Sequence, residues 1–127
     1  MLLGNYPEYI EVDNERYKLN TDFRVALKCF EVIDDVEIDD YERAFAVAYL
    51  LLGDIPFEKM DKIMPLLKKY LSCGEEEQSD KKPDMDLLHD EKYVVASFMS
   101  DYQIDLSKIE YLHWWQFITL VGGLTED

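Results

Sequence analysis

Only one stretch of the chain alternates apolar and polar positions with the period of a strand. Residues 8–19, Glu-Tyr-Ile-Glu-Val-Asp-Asn-Glu-Arg-Tyr-Lys-Leu, form two short runs around Asp13-Asn14, a pair that tolerates positive φ. Ile10 and Val12 share one face, as do Tyr17 and Leu19, which predicts a small N-terminal hairpin. From there the period becomes helical. Asn20-Thr21-Asp22 supplies an N-cap, and Phe23, Val25, Ala26, Leu27, Phe30 and Ile33 follow at helical spacing, so a first helix is expected to run to about Ile33. Asp39-Asp40 opens a second helix that reaches Gly53, a natural stop. Because Ala44 to Leu52 is apolar on every side, this helix is expected to be central. After Asp54-Ile55-Pro56, the positions Met60, Ile63, Met64, Leu67, Tyr70 and Leu71 describe a third helix, which Pro65 should kink or split.

Residues 74–84 carry no apolar side chain except a proline, so nothing anchors them to a core and they read as a mobile acidic linker. A fourth helix is predicted from about Met85 to Ser100, with Leu88, Val94, Val95, Phe98 and Tyr102 as its buried stripe. Ser107 or Asp105 is the expected cap of a fifth helix, which stops at Gly122-Gly123. The pattern therefore predicts an all-α fold of about five helices around one core, with a hairpin at about 8–19. The helical body would occupy about 21–73 and 85–122 of a single domain, 1–127.

Composition agrees with a packed domain. Of 127 residues, 48% are hydrophobic and 13% aromatic, too many for a chain disordered throughout. No secretory leader is expected from Met-Leu-Leu-Gly-Asn-Tyr, which lacks a basic n-region. The longest apolar run, Ala44 to Leu52, is about half of what a bilayer crossing requires, so no membrane span is expected. The two cysteines, Cys29 and Cys73, form no CxxC pair and read as reduced thiols of a cytosolic protein. A net charge of −15 speaks against direct binding of nucleic acid over a broad face.

Chemistry is harder to find. Asp84, Asp86, His89, Asp90 and Glu91 cluster densely, but an EF-hand loop would need Gly and Glu where His89 and Val95 stand. No spacing argument brings His89 and His113 together as transition-metal ligands, and an acidic first helical turn accounts for the cluster. There is no nucleophile elbow and no phosphate-cradling glycine loop. The reading is of a protein that is not an enzyme and uses no metal or cofactor. From Glu31 to Glu42 there are seven acids and no base, a row that either mimics DNA phosphates or is a solvated connection with a capped helix start. Lys59, Lys62, Lys68 and Lys69 outnumber Glu58 and Asp61 over 57–70, so charge is polarised along the chain. Met60, Met64, Met85 and Met99 are core fillers, or an adaptable surface if exposed.

The most distinctive local sequence is Tyr111-Leu112-His113-Trp114-Trp115-Gln116-Phe117. On a helix from Ile109 onward, apolar side chains sweep most of the circumference, leaving a polar sector at Lys108, Gln116 and Thr119. Trp115 lies nearest that sector and Leu112 inside it, which makes these two the candidates for a half-exposed contact surface; core packing is the competing reading.

These residues also carry a resemblance. Asp101-Tyr102-Gln103-Ile104-Asp105-Leu106, then Leu112-His113-Trp114-Trp115-Gln116-Phe117, then Gly123-Leu124, resembles the C-terminal signature of small proteins from tailed phages and prophages of Gram-positive bacteria. Asn20-Thr21-Asp22-Phe23-Arg24 and Ile55-Pro56 are similar to that family as well, so the resemblance covers nearly the whole chain apart from 74–84. It implies a gene between those of the tail tube and the tape measure, the place of tail-assembly chaperones, which keep the apolar tape-measure protein soluble and leave before the particle is finished. Implied with it are the host bacterial cytoplasm as the place of action and the tape-measure protein, other tail proteins or further copies of the chain as partners. It brings no catalytic or cofactor residues, and His113 reads as structural. Two other functions stay open: an acidic DNA mimic that blocks a host nucleic-acid-binding protein, and a permanent structural part of the tail.

Overall fold

In the computed structural model, residues 6–74 and 91–123 are described. Strand β1 (Tyr9–Val12) pairs antiparallel with β2 (Glu15–Lys18), with Val12 opposite Glu15 and Ile10 opposite Tyr17. Asp13 and Asn14 both take positive φ, 53° and 67°, the conformation that lets a two-residue turn match the strand twist. Ile10 and Val12 are buried while Tyr9 and Glu11 face out. At the tip, Lys59 bonds Glu15 and the Lys62 ammonium lies 2.9 and 3.2 Å from the two Asp13 carboxylate oxygens. These ion pairs are exposed and add little stability, but they orient the hairpin against the third helix.

Helix α1 (Phe23–Ile33) starts at Asp22, whose carboxylate accepts the Arg24 N–H, and it buries Phe23, Ala26 and Cys29. Helix α2 (Asp40–Leu52) starts at a reciprocal capping box: Glu42 N–H donates to Asp39 at 2.8 Å and Asp39 N–H to Glu42 at 3.0 Å. It ends at Gly53, whose φ of 79° a side chain would oppose. After a single 3-10 turn, Phe57–Lys59, helix α3 (Met60–Leu71) buries Met60, Ile63, Leu67, Tyr70 and Leu71. Helix α4 (Glu91–Tyr102) buries Val94 and Phe98, and α5 (Trp114–Gly122) buries Trp114, Phe117 and Val121. The all-α fold with a minor hairpin is thus as the pattern predicts, with five α-helices among the described residues.

Three local expectations are corrected. Pro65 does not split α3: it lies on an exposed side with Asp61, the residue whose carbonyl loses its helical donor, so water can replace that bond. Helix α2 is not central. It fully buries only Val47, Ala48 and Leu51, packs Ala44, Leu50 and Leu52 at the core's edge, and leaves Tyr41, Phe45 and Tyr49 exposed. The fifth helix begins at Trp114, not after Asp105 or Ser107. Asp105 instead accepts the backbone and hydroxyl of Ser107, 3.0 and 2.6 Å away, and closes an isolated turn.

Other expectations fall on residues that are not described: the linker at 75–84, the start of the fourth helix at Met85, Leu88, and the cluster of Asp84, Asp86, His89 and Asp90. Of the methionines, Met60 is buried, Met64 half-buried and Met99 exposed. No helix among the described residues is long and apolar enough to cross a membrane.

Phe117 is the hub of the core. Its ring stacks on Phe23 at 4.7 Å and on Phe98 at 5.4 Å, and Trp114 lies 5.9 Å away on the same helix, in contact with Phe30 of α1. In the same core Cys29 is fully enclosed, and burial pushes its thiol up to about 12. A thiol held protonated and out of reach is inert. At pH 8 a thiol reagent is therefore expected to modify Cys29 only on the timescale of unfolding, whereas the half-buried Cys73 reacts first. Comparison of Cys29→Ser and Cys73→Ser chains assigns the two phases, and fast modification in the Cys73→Ser chain would contradict the packing.

Candidate functional site

The starts of α1 and α5 are joined back to back. Phe23 N–H donates to Leu112 O at 2.8 Å and Trp114 N–H to Thr21 O at 2.9 Å, an antiparallel bridge centred on Asp22 and His113. Each helix thereby satisfies the first orphan donor of the other. The Asp22 carboxylate also takes the N–H of Leu112 at 3.3 Å and the Arg24 guanidinium at 2.8 and 3.1 Å. Partial burial opposes its charge, but the hydrogen bonds from Arg24 and Leu112 outweigh that and hold the carboxyl below its ordinary 3.8.

His113 caps α5 through its ring. Nδ1 accepts the Trp115 N–H at 3.0 Å, which leaves the proton on Nε2 to donate to the Pro7 carbonyl at 2.8 Å. The two tryptophans then reach across to the end of α3. Trp114 Nε1–H donates to Leu71 O at 3.0 Å and Trp115 Nε1–H to Tyr70 O at 2.8 Å, both carbonyls of the last helical turn. Tyr6 stacks on His113 at 5.0 Å and Tyr70 on Trp115 at 6.3 Å. The His-Trp-Trp sequence is a clamp that ties the N-terminal segment, the α1 start and the α3 end to one helix start.

This geometry revises the sequence-based candidates. Leu112 is buried, 6% exposed, because it precedes the helix and the wheel that put it in a polar sector does not extend to it. Trp115 is half-buried, with its N–H engaged and its ring end packed so near Gly74 that a Cβ there would lie 3.1 Å away. Of the remaining signature residues, Leu106 and Phe117 are core, Ile104 is packed against the core, and Asp105 closes its turn.

Sequence reasoning missed a different surface. Tyr41, Phe45 and Tyr49 stand four residues apart on α2 and are 74%, 43% and 64% exposed, and Phe57 from the following turn, 62% exposed, stacks on Phe45 at 5.4 Å. The i, i+4, i+8 spacing was the available signal, since it lines up three aromatics along one helical face. Scattered exposed apolar residues need no explanation, but an aromatic strip along one helical face is a candidate contact surface. Residues 31–58 around it hold nine carboxylates and one base, Arg43, whose guanidinium is taken up by Asp40 and by the carbonyls of Asp35 and Ile38. Among the described residues no three His, Cys, Asp or Glu side chains are grouped to hold a metal ion.

Two outcomes follow for the clamp. Trp114→Phe leaves the Leu71 carbonyl without its buried donor and opens a gap beside Phe117, so urea denaturation should register a loss of about 2 kcal/mol or more. Asp22→Asn keeps a capping side chain but removes its charge. Because the folded carboxyl titrates below its unfolded value near 3.8, its contribution is complete at neutral pH and is lost as pH falls through the folded value. The stability difference between wild type and Asp22→Asn should accordingly shrink on acidification below that point, and a difference that grows would refute the assignment.

A family model described as bacteriophage Gp15 protein matches residues 4–127. No curated protein and no solved structure shows a significant match. The match spans both described segments and the His-Trp-Trp clamp, and it points to a part in phage particle structure or morphogenesis. The chain belongs to the bacteriophage Gp15 family.

Proposed function

We propose that the protein acts without catalysis in phage tail morphogenesis, as an assembly chaperone that keeps the tape-measure protein soluble in the host cytoplasm. The observation that carries this reading is the exposed strip of Tyr41, Phe45, Tyr49 and Phe57, an apolar contact surface on a protein of net charge −15. A chaperone needs both properties. The apolar strip captures client surface that would otherwise aggregate, and the charge keeps the complex dispersed by repulsion. A tape measure is long, so weak contacts repeated along it gain strength by multivalency, and no deep pocket is required.

The DNA-mimic reading is less well supported by the acidic run from Glu31 to Glu42. Several of its carboxylates have local duties: Asp39 and Glu42 form the capping box, Asp40 pairs with Arg43, and Asp35 accepts the Glu37 N–H. A permanent place in the tail is distinguished by mass spectrometry of purified virions, which would find stoichiometric copies.

Co-expression with the tape-measure protein of the same phage tests the chaperone. The expected result is more soluble tape measure, co-eluting with this protein. Unchanged solubility with no complex would remove the proposal.

A further inference from the structure

The occupant of the aromatic strip can be argued from charge. Tyr41, Phe45 and Tyr49 run along about 12 Å of α2, roughly two turns, and Phe57 widens the strip on one side. Glu42 is exposed on the helix, Asp39 and Asp40 stand at its start, and Asp54 and Glu58, both exposed, lie three before and one after Phe57 in the chain. The bases nearest in sequence are already committed: Arg43 to Asp40 and two carbonyls, Lys59 to Glu15. The strip therefore lies in a stretch, residues 31–58, whose nine carboxylates far outnumber its single base, Arg43, and that base is already engaged. A second copy would set the same carboxylates face to face, and anionic lipid or nucleic acid would be repelled as well. What complements this surface is apolar along its centre and cationic at its edges.

We propose that the strip docks an amphipathic helix of a partner protein, whose apolar ridge lies on Tyr41, Phe45, Tyr49 and Phe57 and whose flanking Lys or Arg side chains meet Glu42, Asp54 and Glu58. This deepens the chaperone reading, resting on it only for the identity of the client. Side chains four apart form a ridge that fits the groove of a second helix, so leucines at i, i+3, i+4 and i+7 match it.

The test is a titration of the full chain with fluorescent synthetic peptides of about 18 residues, read by anisotropy. One peptide has leucines at i, i+3, i+4 and i+7 flanked by lysines, a second replaces lysine by glutamate, and a third scrambles the first. The first should bind at least about tenfold tighter than either control, and Phe45→Ser/Tyr49→Ser should lose about tenfold or more. Asp54→Lys/Glu58→Lys should weaken the lysine peptide, as should raising salt from about 50 to about 300 mM. Tyr41→Glu, at the most exposed aromatic of the strip, serves as a second variant if the double one fails to fold.

Equal binding of the scrambled peptide, or full retention by the strip variants, would overturn the proposal by showing attraction of charge alone. So would a wild-type dimer that Phe45→Ser/Tyr49→Ser dissociates in sedimentation, because the occupant would then be a second copy. If the first peptide fails while the tape measure is still solubilised, the docking site is wrong and the chaperone stands. If the first peptide binds as expected but the tape measure is not solubilised, the site stands and the client is another helical protein.

Discussion

Two helix starts joined by a pair of backbone hydrogen bonds hold the rest of the molecule in place. Phe23 N–H to Leu112 O and Trp114 N–H to Thr21 O do for α1 and α5 what side-chain caps do elsewhere, but they also fix the two helices relative to each other. With that relation set, Phe23 meets Phe117, Phe30 meets Trp114, and the indoles of Trp114 and Trp115 fall on the end of α3. Asp22 and His113 lock the arrangement from the side, each serving its own helix while reaching across to another segment. The signature residues of the C-terminal region are explained by this role. They build the fold: Leu106, Leu112, His113, Trp114 and Phe117 are buried, and Ile104 and Trp115 pack against the core.

That division of labour separates two kinds of aromatic residue. The rings of Trp114, Phe117, Phe98 and Phe23 stack on one another and exclude water. The rings of Tyr41, Phe45, Tyr49 and Phe57 share only the Phe45–Phe57 stack and face solvent. The first set stabilises the domain. The second set leaves apolar area in water, which a monomer with no partner has no reason to keep contiguous.

Much of the fold was legible in the sequence because its signals are local. Asp22 and Asp39 sit directly before apolar periodicity, and Gly53 and Gly122-Gly123 directly after it, so α1 and α2 and the end of α5 fall where expected. The hairpin follows from Asp13-Asn14 for the same reason. The start of α5 was not legible, since histidine is not among the usual N-caps and Asp105 and Ser107 offered stronger ones. The misplacement carried into the candidate site: extending helical geometry back to Ile109 turned Leu112 outward on paper when it faces inward. The exposure of α2 was hidden by a different cause. A helix apolar on all sides says how much area could be buried, while which side is covered depends on how α1 and α3 dock against it, which its own periodicity does not encode.

The clamp also bears on the order in which the chain can fold. Asp22 and Leu112 are separated by 90 positions, so the first helix completes its N-terminal bonding only with residues made long after it. Closing so wide a loop is entropically costly and comes late. As the chain leaves the ribosome, β1, β2, α1, α2 and α3 are all made before the aromatic hub of α5 exists to cover them. A nascent chain of this protein therefore passes through a stage in which its own apolar surface lies open. The seven carboxylates of residues 31–42, already synthesised by then, add like-charge repulsion between such chains.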